Sequence, residues 1–416
     1  MAHLIIFKIK EKLRNNRLLY KYLSSIYHID WVIRKYFKYK IIDRSTLLNN
    51  KNYYNYTEYS KGENINYKEP IGIDNYIPNK LKYFLDKDFI LPPSFYNIHN
   101  NVNLIGPEAI GVTGNGEILV ETCCGNLNIL DKCSPKLFMN HHKLEVERDY
   151  EFAVKFVTPY INIDQKNYWH WISECLFLLE AVDHYYKITK EKPTIIINDN
   201  PTTYQLDSLK MMGITSKDYV KWNCSRASIK KLIVPAIRRH KIDWVNIIYP
   251  SAMKWLKFSL FNYSKQLISK FSQNVFISRQ HSNGRRIINN EEVETFLKKY
   301  DFHMYSLENM TFKDQLNLFF HAKNIIGVHG AGLSNIIFSN NANIIEIIGD
   351  PGHNYTEYYR IAESLNLRYC FILSDYSYDN YIYDNLHSHY KEHDIFVNIS
   401  RLENIFEKLN ITRYKN

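Results

Sequence analysis

The sequence predicts an α/β fold in which helices alternate with parallel strands, and three observations carry that prediction. Short apolar runs of strand length recur from residue 88 onward, and segments with one apolar helical face separate them. A glycine-containing turn at 325–335 then joins an apolar strand to a helix start. Helix, strand, glycine turn, helix and strand in this order are typical of a doubly wound domain, which binds its ligand at the carboxyl ends of its strands.

Residues 1–70 are expected to be a basic, partly helical extension followed by a linker. Basic and apolar positions alternate over 1–45, whereas 46–80 is rich in Asn and Tyr and has few hydrophobic runs. We interpret 1–45 either as an amphipathic helix on an anionic membrane surface or as a helical cap packed on the protein. Residues 46–80 are interpreted as an irregular linker.

Residues 71–250 are expected to form a first α/β domain. The turn Gly114-Asn115-Gly116 between two apolar runs predicts a β-hairpin. The predicted strands lie at 89–91, 102–105, 109–112, 117–120, 152–157, 194–197 and 232–234, and the predicted helices at 168–186 and 202–212. The strands at 194–197 and 232–234 are expected to be parallel, with the second helix between them along the chain.

Residues 251–416 are expected to form a second, nucleotide-binding α/β domain. Thr311 and Asp314 have the spacing of a capping box at the start of a helix. The predicted helices lie at 251–271, 290–300, 311–322, 358–365 and 400–409, the last capped by Ser400, and the predicted strands at 274–278, 302–305, 325–329, 343–348 and 368–372.

Composition limits the classes of protein and partner. The 416 residues are 45% hydrophobic and 23% charged, which is the composition of a folded globular protein rather than a disordered one. A net charge of +10 favours phosphate-bearing ligands, nucleic acid or an anionic membrane. Because the basic residues are spread along the chain and no zinc spacing or aromatic RNA-binding signature occurs, nucleic acid is not an expected partner.

The cysteines and the apolar runs bear on location. None of the six cysteines has metal-site or disulfide-framework spacing, so we expect reduced thiols. The sequence has no run of 18 apolar residues and no segment typical of a signal peptide. We therefore expect a cytoplasmic protein, with peripheral membrane contact through residues 1–45 as the alternative.

The glycine turn is a candidate anion site. A buried strand would reach the surface at His329, where Gly330 and Gly332 let the backbone approach a ligand. The helix start that follows presents N–H groups and a partial positive charge, which suit a phosphate. The site is therefore predicted to take an anionic, nucleotide-linked ligand, and the alternative is an ordinary structural turn.

Arg279 follows another predicted strand and so reaches the same sheet edge. An arginine there can bind a diphosphate bidentately and stabilise the charge on a departing nucleoside diphosphate. Arg285 and Arg286 lie in the polar loop beyond it, where solvated surface charge is the alternative for at least one of them. Asn290 and Glu291 begin the next predicted helix, where capping is their alternative role.

Carboxylates and a histidine supply the candidates for proton transfer. His170 and Glu174 are four residues apart and share one face of a predicted helix, so the carboxylate can orient the imidazole. Packing is the alternative role for His170, and Asp164 is a further candidate base. Glu346 interrupts an Ile-rich strand, so it must be paired or must reach a ligand hydroxyl such as that of a ribose.

Together these segments resemble glycosyltransferase family 61 over about 88–375. The resemblance is carried by residues 168–171, 278–279, 307–308, 311–312, 326–335 and 345–347. It implies a GT-B-like arrangement, with two Rossmann-like domains facing across a cleft. In that arrangement residues 71–250 lie on the acceptor side and residues 251–416 bind the nucleotide sugar.

The resemblance also implies an activity. The expected enzyme is an inverting, metal-independent glycosyltransferase of glycan synthesis, which moves a monosaccharide from a nucleotide sugar, expected to be a UDP-sugar, to a hydroxyl of a glycan or protein. It would need no cofactor beyond that co-substrate. It implies roles for His170, Arg279, His329–Asn335 and Glu346. With these roles, we expect the catalytic residues to be Arg279 and, as the base, His170 or Glu174. The expected donor-binding residues are Arg279, Arg286, Asn290, His329, Gly330, Ala331, Gly332, Leu333, Asn335 and Glu346.

Two other functions stay open at this point. Asp86-Lys87-Asp88 has the Asp-x-Asp pattern that holds a divalent ion on the donor diphosphate of a GT-A-type transferase. The glycine turn without an acceptor base would instead suit a non-catalytic protein that binds a nucleotide sugar or phosphate.

Overall fold

The computed structural model of the protein describes residues 40–51, 55–71, 77, 79–85, 87–125, 144–157, 167–263, 270–282, 284–349, 356–374 and 394–414. The predictions for residues 1–39, Asp86 and Asp164 lie outside these ranges. Below, residues 40–249 are the first half and residues 270–414 the second half, joined by the helix Pro250–Tyr263.

The first half is built on one mixed sheet. Its strands are β1 (Ile41–Ile42), β2 (Tyr56–Ser60), β3 (Glu63–Asn66), β4 (Asp88–Leu91), β5 (Ser94–Ile105), β6 (Ile110–Thr113), β7 (Ile118–Leu119), β8 (Arg148–Lys155), β9 (Thr194–Asn198), β10 (Tyr219–Trp222), β11 (Arg226–Pro235), β12 (Arg239–Ile242) and β13 (Val245–Ile248). Among the described residues, nine of them form a sheet of order β1-β7-β6-β5-β11-β8-β9-β10, with β2 also paired to β5. The pairs β3–β4 and β12–β13 form separate ribbons.

Strand direction divides this sheet into two parts. β11, β8, β9 and β10 are mutually parallel, as in a nucleotide-binding domain. β5 runs antiparallel to β11, β2 and β6, and β6 runs antiparallel to β7 as the predicted hairpin. The first half is thus a mixed sheet rather than the purely parallel sheet of a Rossmann-like domain. β9 and β11 are parallel as predicted, with β8 between them.

The predicted linker at 46–80 is wrong over much of its length. Among the described residues of that region, β2 extends the large sheet, β3 pairs with β4, and helices cover Arg44–Asn49 and Asn79–Lys82. The error arises because β2 is a half-buried strand that consists mainly of Tyr, Thr, Glu and Ser. β2 forms because its backbone pairs with β5, and its sequence has no hydrophobic pattern that would predict a strand.

The helices of the first half pack on the parallel part of the sheet. The predicted helix from 168 is present, and it changes type along its length: α-helix at Tyr168–His170, π-helix at Trp171–Cys175, 3₁₀-helix at Leu176–Leu178 and α-helix at Leu179–Thr189. The helix Thr203–Met211 follows β9, where a capping box joins Thr202 to Gln205. A short 3₁₀ helix covers Val120–Cys123.

The second half is a doubly wound parallel sheet. Its strands are β14 (Asn274–Ile277), β15 (His303–Tyr305), β16 (Asn324–Val328), β17 (Asn343–Ile348) and β18 (Arg368–Leu373). These five are parallel and lie in the order β15-β14-β16-β17-β18 within the described part of the chain. The chain therefore moves outward from β14 in one direction and then, from β16, in the other, which is the order of a flavodoxin-like nucleotide fold.

Helices cover both faces of this sheet. They are Asn290–Lys298, Phe312–His321, Glu357–Ser364 and Ile399–Leu409, with 3₁₀ helices at Leu307–Asn309 and Ala331–Phe338. The predicted cap at Thr311 is confirmed, because its hydroxyl accepts from the Asp314 N–H at 3.1 Å. The cap of the last helix is Asn398 and not Ser400, since the Asn398 side chain accepts from the Arg401 N–H at 3.2 Å.

Two hydrophobic cores flank the parallel sheet. Alternate residues of β14 show the division, because Phe276 packs with the helices Asn290–Lys298 and Ile399–Leu409, while Val275 and Ile277 face the opposite side. That opposite core is continuous with the first half, where it includes Trp171 and Phe177. The two halves therefore share one buried apolar cluster.

Candidate active site

The candidate site lies at the switch point of the parallel sheet. β14 and β16 are neighbours, but β14 is followed by β15 on one side and β16 by β17 on the other. The loops leaving these two carboxyl ends diverge and open a crevice, which is where doubly wound folds bind ligands. Arg279 leaves the end of β14, and His329 and Gly330 leave the end of β16. The structure thus brings the two predicted motifs together.

Arg279 lies directly against Gly330. A Cβ atom added to Gly330 would overlap Nη1 of Arg279, so the guanidinium occupies the space that a side chain would need. The Nη2 atom donates to the Gly284 carbonyl at 3.2 Å, which fixes the guanidinium from the other side. The φ angle of Gly330 is 173°, an extended value that any residue adopts. Gly330 is therefore required for space and not for backbone freedom.

The backbone of Gly332 lies close to the side chain of Leu307. A Cβ atom there would lie 2.7 Å from Cδ1 of Leu307, which belongs to the buried core. Gly332 thus lets the 3₁₀ helix Ala331–Phe338 pack against that side chain, a contact that the sequence alone did not indicate. Ala331 and Gly332 form the first turn of this helix, where backbone N–H groups are available to an anion.

Asn335 joins the two halves. Its side-chain oxygen accepts from the Tyr168 hydroxyl at 2.6 Å, and its amide nitrogen donates to Gln315 Oε1 at 2.9 Å. Asn335 and Leu333 are almost fully buried. The Asn335 amide is therefore engaged by protein groups instead of facing a ligand, and its predicted donor contact gives way to a structural role.

His329 is held by Glu346. The buried carboxylate accepts a hydrogen bond from Nδ1 of His329, which fixes the orientation of the imidazole ring. The other Glu346 oxygen accepts from the Tyr369 hydroxyl at 2.5 Å. Glu346 faces the same side of β17 as Ile344 and Ile348, inside the core. Since both oxygens are engaged, we interpret Glu346 as a group that positions His329 and not as one that contacts a ribose.

Tyr358 extends this cluster toward the first half. Its hydroxyl donates to the Gly330 carbonyl at 2.5 Å, and its ring centroid lies 5.0 Å from that of His329. The Trp169 ring meets Tyr358 edge-on, with centroids 5.6 Å apart. Burial, with Glu346 and Glu357 nearby, raises the pKa of Tyr358 well above its ordinary value, so it stays a neutral donor. Residues 168–169 and the glycine turn are thus in direct contact.

The predicted pair His170 and Glu174 is present. Nδ1 of His170 donates to Glu174 Oε1 at 2.9 Å, and Arg239 also pairs with that carboxylate. Burial alone would raise the pKa of Glu174, but the Arg239 guanidinium and the His170 imidazole together hold it below its ordinary value. Glu174 is a buried, ion-paired anion, so its predicted role as a base is not supported by its surroundings. It orients His170.

A cleft of about 800 Å³ lies between the two halves, and each half contributes one of its walls. Such a volume accommodates a nucleotide-sized ligand. Its lining residues from the first half are Tyr168, Thr202, Thr203, Tyr204 and Asp207, and those from the second half include Ser278, Arg279, His281, Ser282, Glu308, Thr311, Gly330 and Gly332. Arg279 and Gly330 lie in its wall, whereas His170 is not among the lining residues.

Residues 168–345 match the model of the family Glycosyltransferase 61. Over this segment, which is less than half of the chain, the protein is similar to glycosyltransferase family 61. The matched segment begins at Tyr168, contains Arg279 and Gly330, and ends one residue before Glu346, so it holds the motifs that form the site. A search of curated proteins gave no match. This similarity supports a transferase.

Arg285, which the sequence placed only in a polar loop, has a specific contact in this site. Arg285 donates from Nη1 to the His329 carbonyl at 2.7 Å, so it supports the glycine turn directly. Arg286, the residue expected to bind the donor, instead pairs with Asp394 at 2.6 Å and is exposed. The reason is the left-handed backbone of Arg285, with a φ of 57°, which turns the two side chains in different directions.

Asn290 also departs from its predicted role. It is the first residue of the helix Asn290–Lys298, and its amide nitrogen donates to Glu294. Gln280 donates to the same carboxylate at 3.1 Å. Asn290 thus helps to tie the loop after Arg279 to the helix, and it does not line the cleft.

Neither a metal site nor a membrane span is found in the described part of the chain. Among those residues, no group of three or more His, Cys, Asp or Glu side chains could hold a metal ion. Asp88, from the Asp-x-Asp pattern, lies in the ribbon β3–β4 and accepts from Asn66 at 3.3 Å, outside the cleft lining. No helix in the described ranges combines the length and apolarity needed to cross a bilayer.

Proposed function

We propose that the protein is an inverting glycosyltransferase with a GT-B-like arrangement, in which a nucleotide sugar binds in the cleft between the halves. The observation that carries the proposal is the position of Arg279. Its guanidinium lies against Gly330 at the switch point of the parallel sheet and lines a cleft that both halves share. The proposed donor is a UDP-sugar, and the proposed acceptor is a hydroxyl of a glycan or protein.

Arg279 supplies the donor diphosphate with its main cationic partner in this proposal. A guanidinium can donate two parallel hydrogen bonds to phosphate oxygens, which fixes orientation as well as charge. The N–H groups of Ala331 and Gly332 add donors and the positive end of a short helix. The same two groups would bind the released nucleoside diphosphate, so product affinity reports directly on this subsite.

The chemistry proposed is a single displacement. The acceptor oxygen forms a bond to the anomeric carbon while the bond from that carbon to the diphosphate oxygen breaks, and configuration is inverted. Negative charge grows on the leaving diphosphate, and Arg279 stabilises it. Removal of such a preorganised donor typically lowers kcat by about 10²–10³-fold. His329, held by Glu346 and covered by Tyr358, keeps the glycine turn in position.

The test compares Arg279→Ala with Arg286→Ala, which removes a nearby arginine that lies outside the cleft. UDP affinity is measured by calorimetry, and UDP release is measured with a panel of UDP-glucose, UDP-galactose, UDP-N-acetylglucosamine and UDP-xylose. We expect Arg279→Ala to abolish release and weaken UDP binding with an unchanged melting temperature, and Arg286→Ala to behave as wild type. Near-normal turnover by Arg279→Ala would remove Arg279 from the mechanism.

The same assays separate the other functions. A wild-type protein that binds UDP-sugars but neither hydrolyses nor transfers them would be a binding protein. Release that disappears with EDTA and returns with Mn²⁺ would favour the metal-dependent transferase with Asp86-Lys87-Asp88.

A further inference from the structure

We infer that Asp207 is the catalytic base that takes the proton from the acceptor hydroxyl. The inference rests on the proposed function and names a residue that the sequence did not indicate. Asp207 lies on the helix Thr203–Met211 and lines the cleft from the first half. Arg279 and Gly330 line the same cleft from the second half.

The helix that carries Asp207 presents one polar face to the cleft. Thr203, Tyr204 and Asp207 line the cleft, as positions i, i+1 and i+4 of one helix face. Gln205, Ser208 and Leu209 are buried on the other face. The direction of the Asp207 side chain is thus set by a helix whose opposite side is packed in the core.

This helix is fixed to the two motifs of the site. The Ser208 hydroxyl accepts from the Trp171 indole N–H at 2.8 Å, and the Tyr204 ring meets the Tyr168 ring edge-on with centroids 4.9 Å apart. The Tyr168 hydroxyl in turn donates a hydrogen bond to Asn335 in the 3₁₀ helix Ala331–Phe338. A base has to be held at a reproducible distance from the reacting oxygen, and these contacts provide that rigidity.

The chemistry favours a group on the wall opposite Arg279. In an inverting displacement the attacking oxygen and the leaving diphosphate lie on opposite sides of the anomeric carbon. With the diphosphate on Arg279, the acceptor lies toward the first half. Among the described residues, Asp207 is the one carboxylate that the first half contributes to the cleft lining. It is half-buried, and no hydrogen bond or ion pair joins its carboxylate to another described residue.

The other candidates are less well placed. Glu308 and His281 are exposed and belong to the same wall as Arg279. Glu174 is buried in an ion pair with Arg239, and His170 donates to Glu174 outside the cleft lining. In the proposed step the Asp207 carboxylate accepts the acceptor proton as the new glycosidic bond forms. The electron pair of the broken bond leaves with the nucleoside diphosphate, and Asp207 later returns its proton to water.

The experiment uses the full chain and the UDP-sugar that the wild type hydrolyses fastest in the panel above. Asp207→Asn is compared with Asp183→Asn, which removes a first-half helical carboxylate that pairs with Lys187 outside the cleft. For Asp207→Asn we expect kcat for UDP release to fall by about 10²–10⁴-fold. The KM, the UDP affinity and the melting temperature should stay at wild-type values, because only a transition-state contact is lost. Asp183→Asn should behave as wild type.

A second variant, Asp207→Ala, distinguishes a base from a structural group. Azide needs no proton removal, so added azide should restore UDP release and yield a glycosyl azide of inverted configuration. Wild-type kcat in Asp207→Asn, or loss without azide rescue in Asp207→Ala, would overturn the inference while leaving Arg279 and donor binding intact. Rescue in His170→Ala instead of Asp207→Ala would assign the base to His170. A wild-type protein that neither binds nor releases UDP would refute the proposed function and this inference together.

Discussion

The Tyr168 hydroxyl donates a 2.6 Å hydrogen bond to Asn335, across 167 positions of sequence. Tyr168 is the first residue of the helical segment 168–189, and Asn335 lies in the 3₁₀ helix Ala331–Phe338. Asn335 is also held by Gln315, whose amide nitrogen donates to the Leu307 carbonyl at 2.9 Å. The relationship therefore couples the cleft wall of one half to the glycine turn of the other.

Tyr168→Phe should destabilise the protein by about 1 kcal/mol, because it removes one hydrogen bond without changing the packed volume. Urea unfolding measures this change, and a double-mutant cycle with Asn335→Ala isolates the pair. Tyr186→Phe, at an exposed tyrosine of the same helical segment, is the control and should be neutral. Additive effects of Tyr168→Phe and Asn335→Ala would show that the bond does not contribute.

Two glycine substitutions should separate function from stability. In Gly330→Ala the new methyl group displaces the Arg279 guanidinium, the end of a flexible side chain, so UDP affinity falls while the melting temperature changes little. In Gly332→Ala the methyl group meets Leu307 in the core, so the free energy of unfolding falls by about 1–3 kcal/mol through overpacking. Calorimetry with UDP and thermal unfolding give both quantities. Equal UDP affinity in wild type and Gly330→Ala would contradict the placement of Arg279.

Glu174 should make stability depend on pH in the acid range. Its pKa is below the ordinary value of 4.5 in the folded protein, so the unfolded chain binds its proton first as the pH falls. The stabilisation is thus present above about pH 4.5 and is lost at lower pH. Glu174→Gln, which removes the buried anion of the pair with Arg239, should lower the free energy of unfolding by about 3–5 kcal/mol at neutral pH.

The measurement is urea unfolding of wild type and Glu174→Gln from neutral pH into the acid range. The difference between them should shrink as the pH falls below about 4.5. Glu145→Gln, at an exposed carboxylate, should differ little from wild type throughout. A constant difference for Glu174→Gln at all pH values would show that its ionisation is not linked to folding.

Glu346→Gln should disturb the His329 ring. A glutamine keeps the shape, but its amide cannot accept from both the imidazole and the Tyr369 hydroxyl. One buried donor is left without an acceptor, so we expect a loss of about 1–3 kcal/mol in the free energy of unfolding. Tyr369→Phe removes one of the two donors and should partly restore stability in the double variant. The absence of any such restoration would mean that Glu346 acts mainly through His329.

The sequence was sufficient to predict the order of helices and strands in the second half. It was also sufficient to predict that Arg279 lies close to the glycine turn. Both motifs follow apolar strands of a repeating helix–strand unit, and parallel strands end at one sheet edge. The different roles of Arg285 and Arg286 could not be predicted, because they depend on the left-handed backbone of Arg285 and on Asp394, 108 positions beyond Arg286. The mixed sheet was not predicted because β5 buries the polar residues Asn97 and His99 and pairs with strands that are distant in sequence.

The shared apolar cluster limits how the enzyme can move. Large separation of the halves would expose Trp171 and Phe177 along with the side chains of the second half that pack in the same cluster. The connecting helix Pro250–Tyr263 reinforces this, since its Met253, Leu256 and Leu260 belong to that cluster. We therefore expect a ligand to enter and leave through the existing opening of the cleft, with conformational change confined to loops around it. The two halves should unfold together in a single cooperative step.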